Sequence, residues 1–258
     1  MLDKITPLVI TFNEAENILR TIPKLTWARR IVVVDSGSSD GTLEILQRVS
    51  QIQVLHRKFD NFAAQCNFGL SHIDTDWVLS LDADYELSDE LIRELSKLVP
   101  NDDVDGFMVR FVYRIFGKDL SGSLYPPRIV LYRRVRAVYE NEGHGHKVRI
   151  QGKTVNLHGH IFHDDRKPLS RWFASQQSYA KYETDHLLEH KATLIKASDK
   201  LRLSTWIPVV LILPYLYFVK GCWRDSRHGW YYALQRLHAE AAIALEILDR
   251  RLRDKCER

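Results

Sequence analysis

The sequence predicts an α/β protein: an open, mostly parallel sheet with crossover helices, followed by a helical C-terminal appendage. Three observations predict it. Through the first hundred residues, short β-branched runs alternate with helical spacing in a βαβαβαβ order. Ile31-Val32-Val33-Val34 is apolar without alternation, as a strand buried on both faces of a parallel sheet must be. Residues 203–219, LSTWIPVVLILPYLYFV, run uncharged for 17 positions between helical patterns.

The elements follow in order. Leu8 to Thr11 is a compact apolar strand, and Glu14 to Lys24 has helical spacing at Ile18, Leu19 and Ile22, with Asn13 as its N-cap. Ile31 to Asp35 is the second strand, Ser36 to Gly41 a turn, and Thr42 to Val49 a helix. Gln53 to His56 is a short strand, Asn61 to His72 a helix, and Trp77 to Leu81 a strand ending in Asp82-Ala83-Asp84. Ser88 opens another helix, with Leu91 and Leu95 on one face. After residue 100 the rhythm changes. Gly106 to Arg114 and Arg128 to Arg133 read as strands joined by a Gly/Pro-rich loop at 117–127. His146 to Ile150 and Thr154 to His158 read as a hairpin about residues 151–153, which would put His144, His146, His158 and His160 on one face. Pro168 to about Leu203 is a long polar helix, with Asp164 and Asp165 as its caps, and Gly229 to Arg253 is the last helix.

Composition narrows the function. With 45% apolar and 27% charged residues in 258, wholesale disorder is excluded. Cys66, Cys222 and Cys256 are far apart and form no CxxC pair, so neither a disulfide framework nor a cysteine zinc site is expected, and a reducing cytoplasmic compartment is. The opening residues read as a strand rather than a signal peptide. The charge is uneven: residues 196–258 carry 12 Lys/Arg against 7 Asp/Glu, whereas residues 1–195 net −1. Pro208 and Pro214 interrupt the uncharged run, and Arg202, Lys220, Trp223, Arg224, Trp230, Tyr231 and Tyr232 flank it. A cationic, aromatic-edged apolar segment at about 203–232 points to an in-plane or re-entrant element on an anionic membrane surface, not to nucleic acid. A single span, a buried helical appendage and a dimer contact are the alternatives.

In open α/β sheets, ligands bind beyond the carboxyl ends of the strands. Here three strands end in polar clusters, at residues 11–14, 35–37 and 82–84. Asp82 and Asp84 can present both carboxylates to one cation, and oxygen-only ligands suit Mg²⁺ or Mn²⁺. The chain has neither GxxxxGK[ST] nor GxGxxG, so kinase-like and dinucleotide readings lose support.

VITFNEAENI (9–18), VVVDSGSSDGT (32–42), FAAQCNFGL (62–70) and DWVLSLDADYELS (76–88) resemble the family 2 inverting glycosyltransferases of GT-A fold, in particular the small bacterial enzymes of lipopolysaccharide-core and surface-polysaccharide synthesis. The resemblance implies a GT-A type, Rossmann-like catalytic domain over 1–167, with a donor half (1–100) and an acceptor half (101–167), before a helical region at 168–258. It implies that Thr11, Asn13, Glu14, Asp35, Asn67 and Asp82 bind a UDP- or GDP-sugar, and that Asp84 holds the Mn²⁺ or Mg²⁺ on the diphosphate. Carboxylates suit such a pocket because they accept hydrogen bonds from base N–H and ribose hydroxyl groups. Asp35 also reads as a turn cap, and Asp40 as organiser of its own turn.

His163 is either a third ligand of the metal or a loop histidine. The general base for an inverting transfer falls to Glu142 first and Glu140 second, since the His-Glu pair frequent in related enzymes is absent. His144 and His146 read either as part of a polar acceptor-site face or as structural hydrogen bonders, and Arg128, with Arg133 and Arg134, either as holders of an acceptor phosphate or as a solvated strand edge. Cys66 stands where related enzymes often carry Arg, and Tyr85 where they often carry Glu. The acceptor is expected to be a glycolipid or lipid-linked glycan at the inner face of the cell membrane. A polyprenyl-phosphate acceptor is the enzymatic rival, and a peripheral membrane-binding protein the non-enzymatic one.

Overall fold

The computed structural model describes residues 1–142, 145–189 and 197–256; the side chains of 141, 142, 145 and 146 fall outside the description. The chain forms two units, one from Met1–Gly117, Leu124–Asn141 and Gly145–Lys167, the other mainly from Lys118–Ser123 and Pro168–Arg258.

The first unit opens β1 (Ile5–Thr11), α1 (Ala15–Thr21), β2 (Ile31–Asp35), α2 (Thr42–Leu46), β3 (Ile52–His56), α3 (Phe62–Leu70) and β4 (Trp77–Asp82). It continues with β5 (Tyr85–Leu87), α4 (Asp89–Lys97) and β6 (Val104–Ile115), and, past the two-residue β7 (Lys118–Asp119) of the second unit, with β8 (Arg128–Arg133), β9 (Ala137–Glu142), β10 (Gly145–Ile150) and β11 (Lys153–His163). The sheet runs β3-β2-β1-β4-β8-β6-β11-β5. Its first four strands are parallel; β8 is antiparallel to both β4 and β6, β6 and β11 are parallel, and β5 is antiparallel to β11.

Both faces of the parallel half are covered. Ile5 and Val9 of β1, Ile31 and Val33 of β2, and Trp77, Leu79 and Leu81 of β4 pack into one core with Ile18, Leu91 and Leu95. Leu8, Val32, Val34 and Val78 point the other way, against Ala63, Cys66 and Leu70 of α3 and Tyr139 and Val148 of the β9–β10 ribbon. This is the two-faced burial that the β-branched run at 31–34 requires. The registers Thr11↔Asp35 and Ile10↔Asp82 bring the three polar strand ends to one edge.

Four expectations are corrected. β10 pairs with β9, not β11, and β11 pairs with β6, so the 146–158 hairpin is not formed; His160 pairs with Arg110 of β6 instead, and His158 falls in a register shift. A parallel partner some fifty residues upstream satisfies β11 better because it extends the central sheet. Asn13 is not the N-cap of α1; Glu14 holds that position, and Asn13 takes a left-handed backbone at φ 55°. Asp164 accepts the Gly117 amide and the Arg166 guanidinium, and Asp165 the Lys167 amide and the Asn17 side chain, rather than helix-start amides. The short β5 has no counterpart in the expected elements. The expected N-caps at Asn61 and Ser88 do form, accepting from the Ala64 and Leu91 amides at 2.9 and 3.1 Å.

Register shifts in β11 between Asn156 and His160 leave amides outside the ladder, and the Glu94 carboxylate of α4 accepts those of His158 and Gly159 at 2.8–3.1 Å. Gly159 lies against the backbone of α4: a Cβ there would stand 2.5 Å from Leu91 Cα and 2.7 Å from its nitrogen. Gly159→Ala is therefore expected to cost about 2–3 kcal/mol, since neither backbone can yield cheaply. Thermal unfolding would show it as a clear drop in Tm; an unchanged Tm would mean that α4 and β11 are not locked together there.

The second unit contains α5 (Leu169–Glu189), α6 (Ala197–Arg202), α7 (Trp206–Pro214), a π-helical turn at Tyr215–Val219 and α8 (Ser226–Cys256). The helix expected over 168–203 is seen at both ends, in α5 and α6, and residues 190–196 lie outside the description. Ala180 and Leu187 of α5 pack on Ile243 and Ile247 of α8. Arg202 clamps the bundle, donating to Glu183 at 2.7 Å and in bidentate fashion to Glu240 at 2.7 and 3.0 Å. The two prolines are tolerated for different reasons. Pro208 sits in the first turn of α7, where its missing donor is not needed, and Pro214 passes into the π turn. No single helix among the described residues is long and apolar enough to cross a membrane; 206–219 and 222–256 together pass on length and composition but are bent by 74°.

Candidate active site at the sheet edge

The site is built from loops that bond to one another before any ligand arrives. Asn13 tolerates its left-handed backbone because its short amide bonds locally: Oδ1 accepts the Ser39 amide at 2.7 Å, and its own amide donates to Ser38 Oγ at 2.8 Å. The Glu14 amide donates to Thr42 Oγ1 at 2.8 Å and the Ala15 amide to Asp40 at 3.1 Å. Asp40 also accepts from the Thr42 amide and hydroxyl; burial works against its charge, but these bonds outweigh it and hold its carboxyl below the usual range. Asp35, fully buried, caps the turn after β2 by accepting the Gly37 and Ser38 amides at 2.8 and 3.0 Å. Gly37, at φ 98°, supplies the left-handed step that turn requires. Thr11 places a buried hydroxyl, with no hydrogen-bond partner, beneath the same edge.

Asn67 does something else. Its amide exchanges two 3.0 Å hydrogen bonds with the Tyr139 backbone and so ties α3 to β9. Cys66 beside it is fully buried in the core under α3, and burial pushes its thiol far up, so no phosphate contact replaces the arginine of related enzymes.

The charged centre lies in the tight turn between β4 and β5. Asp82 ends β4, half-buried, and Asp84 follows, buried. Asp84 Oδ2 accepts from His163 Nε2 at 3.1 Å, so the two residues that the sequence marks as metal ligands do meet, across 79 positions. Burial opposes charge on both, yet the contact wins: His163 and Lys167 hold the Asp84 carboxyl well below its ordinary range, and Asp84 raises the imidazole. Asp84 Oδ1 and His163 Nδ1 are buried without a hydrogen-bond partner. Among the described residues no three His, Cys, Asp or Glu side chains converge as ligands. A carboxylate with one oxygen unbonded, next to an imidazole, still fits a divalent cation whose other ligands are phosphate oxygens and water.

Two features were not legible in the sequence. Lys167 sends its ammonium into the site, 2.8 Å from Glu14 Oε1, 3.5 Å from Asp165 and 3.9 Å from Asp84. Burial raises Glu14 to about 7 even against this cation. Around His163 stands an aromatic cage: Tyr85, Tyr113 and Tyr125 place their rings 5.3, 4.7 and 4.7 Å from the imidazole, and the Tyr85 and Tyr125 hydroxyls are bonded to each other. Tyr85, where related enzymes often carry Glu, thus becomes a wall of the cage. Arg128 lays its guanidinium 4.7 Å over the Tyr125 ring. Burial of that group lowers its basicity, but the neighbouring tyrosines, Asp82 and Asp84 more than compensate.

Other expected acceptor-side residues are less placed. Arg133 donates to the Val104 carbonyl at 3.0 Å and faces Asp105 at 3.4 Å, away from this centre's residues. Glu140 is exposed and accepts from Arg149 at 2.9 Å. His144 and the side chains of Glu142 and His146 lie outside the described residues.

The model of the family described as glycosyl transferase family 2 matches residues 8–163, more than half of the chain and every element of this centre up to His163. The chain belongs to that family. It is therefore a glycosyltransferase, and the mixed sheet is GT-A-like. The lipopolysaccharide core biosynthesis glycosyltransferase LpsC of Rhizobium meliloti (strain 1021) is 25% identical over 240 residues, which cover 89% of this chain and 86% of LpsC. An uncharacterized glycosyltransferase of Rickettsia felis is 32% identical over 108 residues, 42% of this chain and 38% of that protein. An undecaprenyl-phosphate 4-deoxy-4-formamido-L-arabinose transferase of Salmonella paratyphi B is 30% identical over 120 residues, 41% of this chain and 35% of the transferase. Among solved structures, S. aureus TarS 1–349 in complex with UDP-GlcNAc superposes with a TM-score of 0.52 at 11% identity, covering 96% of this chain and 91% of that one, which bears on the fold.

Proposed function

We propose that this glycosyltransferase transfers a sugar, with inversion, from a UDP- or GDP-sugar to a membrane-associated glycolipid or polysaccharide acceptor in cell-envelope glycan synthesis. The observation that carries the reading is the meeting of Asp84, His163, Glu14 and Lys167 at the edge where β1, β2 and β4 end. The likeness to LpsC along most of both chains supports the pathway class.

Asp84, oriented by His163, would hold Mn²⁺ or Mg²⁺, which when bound supplies charge neutralisation for the departing diphosphate. The preorganised 11–15 and 35–42 loops would receive nucleoside and ribose, with Asp82 beside the sugar. The acceptor oxygen forms its bond to the anomeric carbon as the carbon–oxygen bond to the diphosphate breaks on the opposite face. A hydroxyl acceptor gives its proton to a carboxylate, for which Glu142 is the candidate. The test is release of nucleoside diphosphate from a panel of UDP-, GDP- and ADP-sugars with either metal and a lipid extract as acceptor. Turnover of one donor, suppressed by chelator, supports the reading; absence of both turnover and nucleotide binding overturns it.

A second acceptor class has its own support in Arg128, an arginine beside the acidic centre, and in the undecaprenyl-phosphate relative. A lipid phosphate is already ionised and needs no base. If the acceptor is a hydroxyl, Glu142→Gln should lower turnover about 10²–10³-fold with Arg128→Ala mild. If it is a phosphate, the order reverses, with Arg128→Ala costing about 10–100-fold. Transfer rates of the two variants decide between them.

We also propose that the second unit binds the cytoplasmic face of the membrane. α7 and its π turn expose Trp206, Val210, Phe218 and Val219, and Lys220, Arg224 and Arg227 follow them in sequence.

A further inference from the structure

Lys167 lies beyond the stretch matched by the family model, and its placement is built with care. Asn17 of α1 accepts the Arg166 amide at 3.2 Å and donates to Asp165 at 3.4 Å; Asp165 in turn accepts the Lys167 amide at 3.1 Å. Arg20, one turn along α1, donates to the Asp164 carbonyl, and Arg166 grips the Asp164 carboxylate at 2.8 and 3.0 Å. These bonds fix the backbone of 164–167 on α1 without using the lysine ammonium at all.

The ammonium is then left with a peculiar environment. It is one cation among Glu14, Asp165 and Asp84, on a side chain 20% exposed, and only Glu14 is in close hydrogen-bond contact. An ammonium has three N–H donors, so one bond at 2.8 Å leaves donor capacity for another acceptor. A buried ion pair is weak evidence for stability, since replacing all its partners with well-packed apolar residues is often neutral. The ammonium also places a positive charge 3.9 Å from the carboxylate that would hold the diphosphate's metal. Asp84 would hold the metal, whose charge would compete with the ammonium for that carboxylate, and the donor's phosphate oxygens would offer Lys167 a replacement anion.

We propose that Lys167 is a diphosphate-binding residue: its ammonium, held on Glu14 in the free enzyme, transfers to a phosphate oxygen of the nucleotide-sugar donor and of the nucleoside diphosphate product. The proposal rests on the transferase reading and adds a protein-borne cation to the leaving-group site. In that role Lys167 stabilises the negative charge that develops on the diphosphate oxygen as the anomeric bond breaks. Glu14, which also accepts from Asn17 at 2.7 Å, is its resting place.

The test is calorimetric binding of UDP, GDP and ADP to the full chain with Mn²⁺, using the nucleotide that the native protein binds. Its parent nucleoside is titrated alongside by ligand-observed NMR. Lys167→Gln, which keeps a hydrogen bond to Glu14 but no charge, is expected to bind the diphosphate about 10–100-fold more weakly and the nucleoside within about threefold of the native protein. Lys167→Arg, which keeps the charge, should recover most of the loss. Native diphosphate affinity in Lys167→Gln overturns the proposal and leaves the transferase reading intact. An equal loss for nucleoside and diphosphate, or a glutamine variant that does not fold, makes the ammonium a structural counter-ion and also overturns it. Failure of the native protein to bind any of the three nucleotides removes the proposed UDP- or GDP-sugar donor and this proposal together.

Discussion

Asp84→Asn is expected to lower nucleoside diphosphate release by about 10³-fold or more while leaving the fold in place. The substitution is isosteric, and the asparagine carbonyl can still accept from His163, which in the native protein sits 3.1 Å from Oδ2. The turn between β4 and β5 and the aromatic cage around His163 should therefore survive, and the far-ultraviolet circular dichroism should match the native protein. What disappears is the negative charge that a divalent cation needs, together with the buried oxygen that carries no hydrogen bond in the chain itself. The same loss should follow when the native enzyme is stripped with a chelator, and restoring Mn²⁺ should rescue the native protein but not the variant. Release above a tenth of the native rate in Asp84→Asn would mean that the cation, if used, is held elsewhere. In that case Lys167 and Arg128 would be left as the charges available to the leaving group.

The donor half was legible because its signals are local. A run buried on both faces cannot alternate, turns such as 36–41 announce themselves in Gly, Ser and Asp, and the caps at Asn61 and Ser88 act within three residues. The errors occur where a partner is chosen at a distance. β10 and β11 carry the pattern of a hairpin, and nothing local says that β11 will instead run parallel to β6, with Glu94 of α4 serving the amides of its irregular stretch. β5 is three residues long, too short to show a period, and exists because β11 passes alongside it. Asn13 looked like a cap because capping and left-handed turns favour the same residue type. The same division holds in the site. Asp84 stood out from its place after β4, whereas His163 read either as a metal ligand or as a loop histidine, and only the structure brings the two together. Lys167 was not legible, because its position depends on Asn17 and Arg20 of α1, about 150 residues earlier, and IFHDDRKP read locally is only a charged loop. Asn67 shows the converse: it sits in a recognisable motif, yet here both ends of its amide are taken by the Tyr139 backbone.

A doubly charged variant of the second unit, Trp206→Glu with Phe218→Glu, is expected to lose about 10²-fold or more in binding to anionic lipid vesicles. The reasoning starts from burial within 206–219. Ile212 and Leu216 point inward and are buried, as one face of a helix packed on α8 should be. The opposite face of a helix in water carries polar residues. Here it carries Trp206 at 65% exposure and Phe218 at 74%, with Val210, Leu211 and Val219 between or beside them, and no charge occurs from 203 to 219. Each large aromatic moved from water to the acyl boundary is worth about 1.5–3 kcal/mol at full burial, so two of them, half-inserted and replaced by carboxylates, account for the expected factor. Lys220 and Arg224, adjoining Tyr215 and Trp223 in cation–π contacts, would supply the attraction to anionic headgroups under that proposal. Vesicle sedimentation should therefore show weaker binding of the native protein to neutral lipid and at high salt. Val99→Glu, at an apolar residue 87% exposed in the first unit, should change nothing. If the double variant sediments like the native protein, the apolar face serves another copy of the chain or a protein partner, and the variant's oligomeric state in solution would distinguish those two.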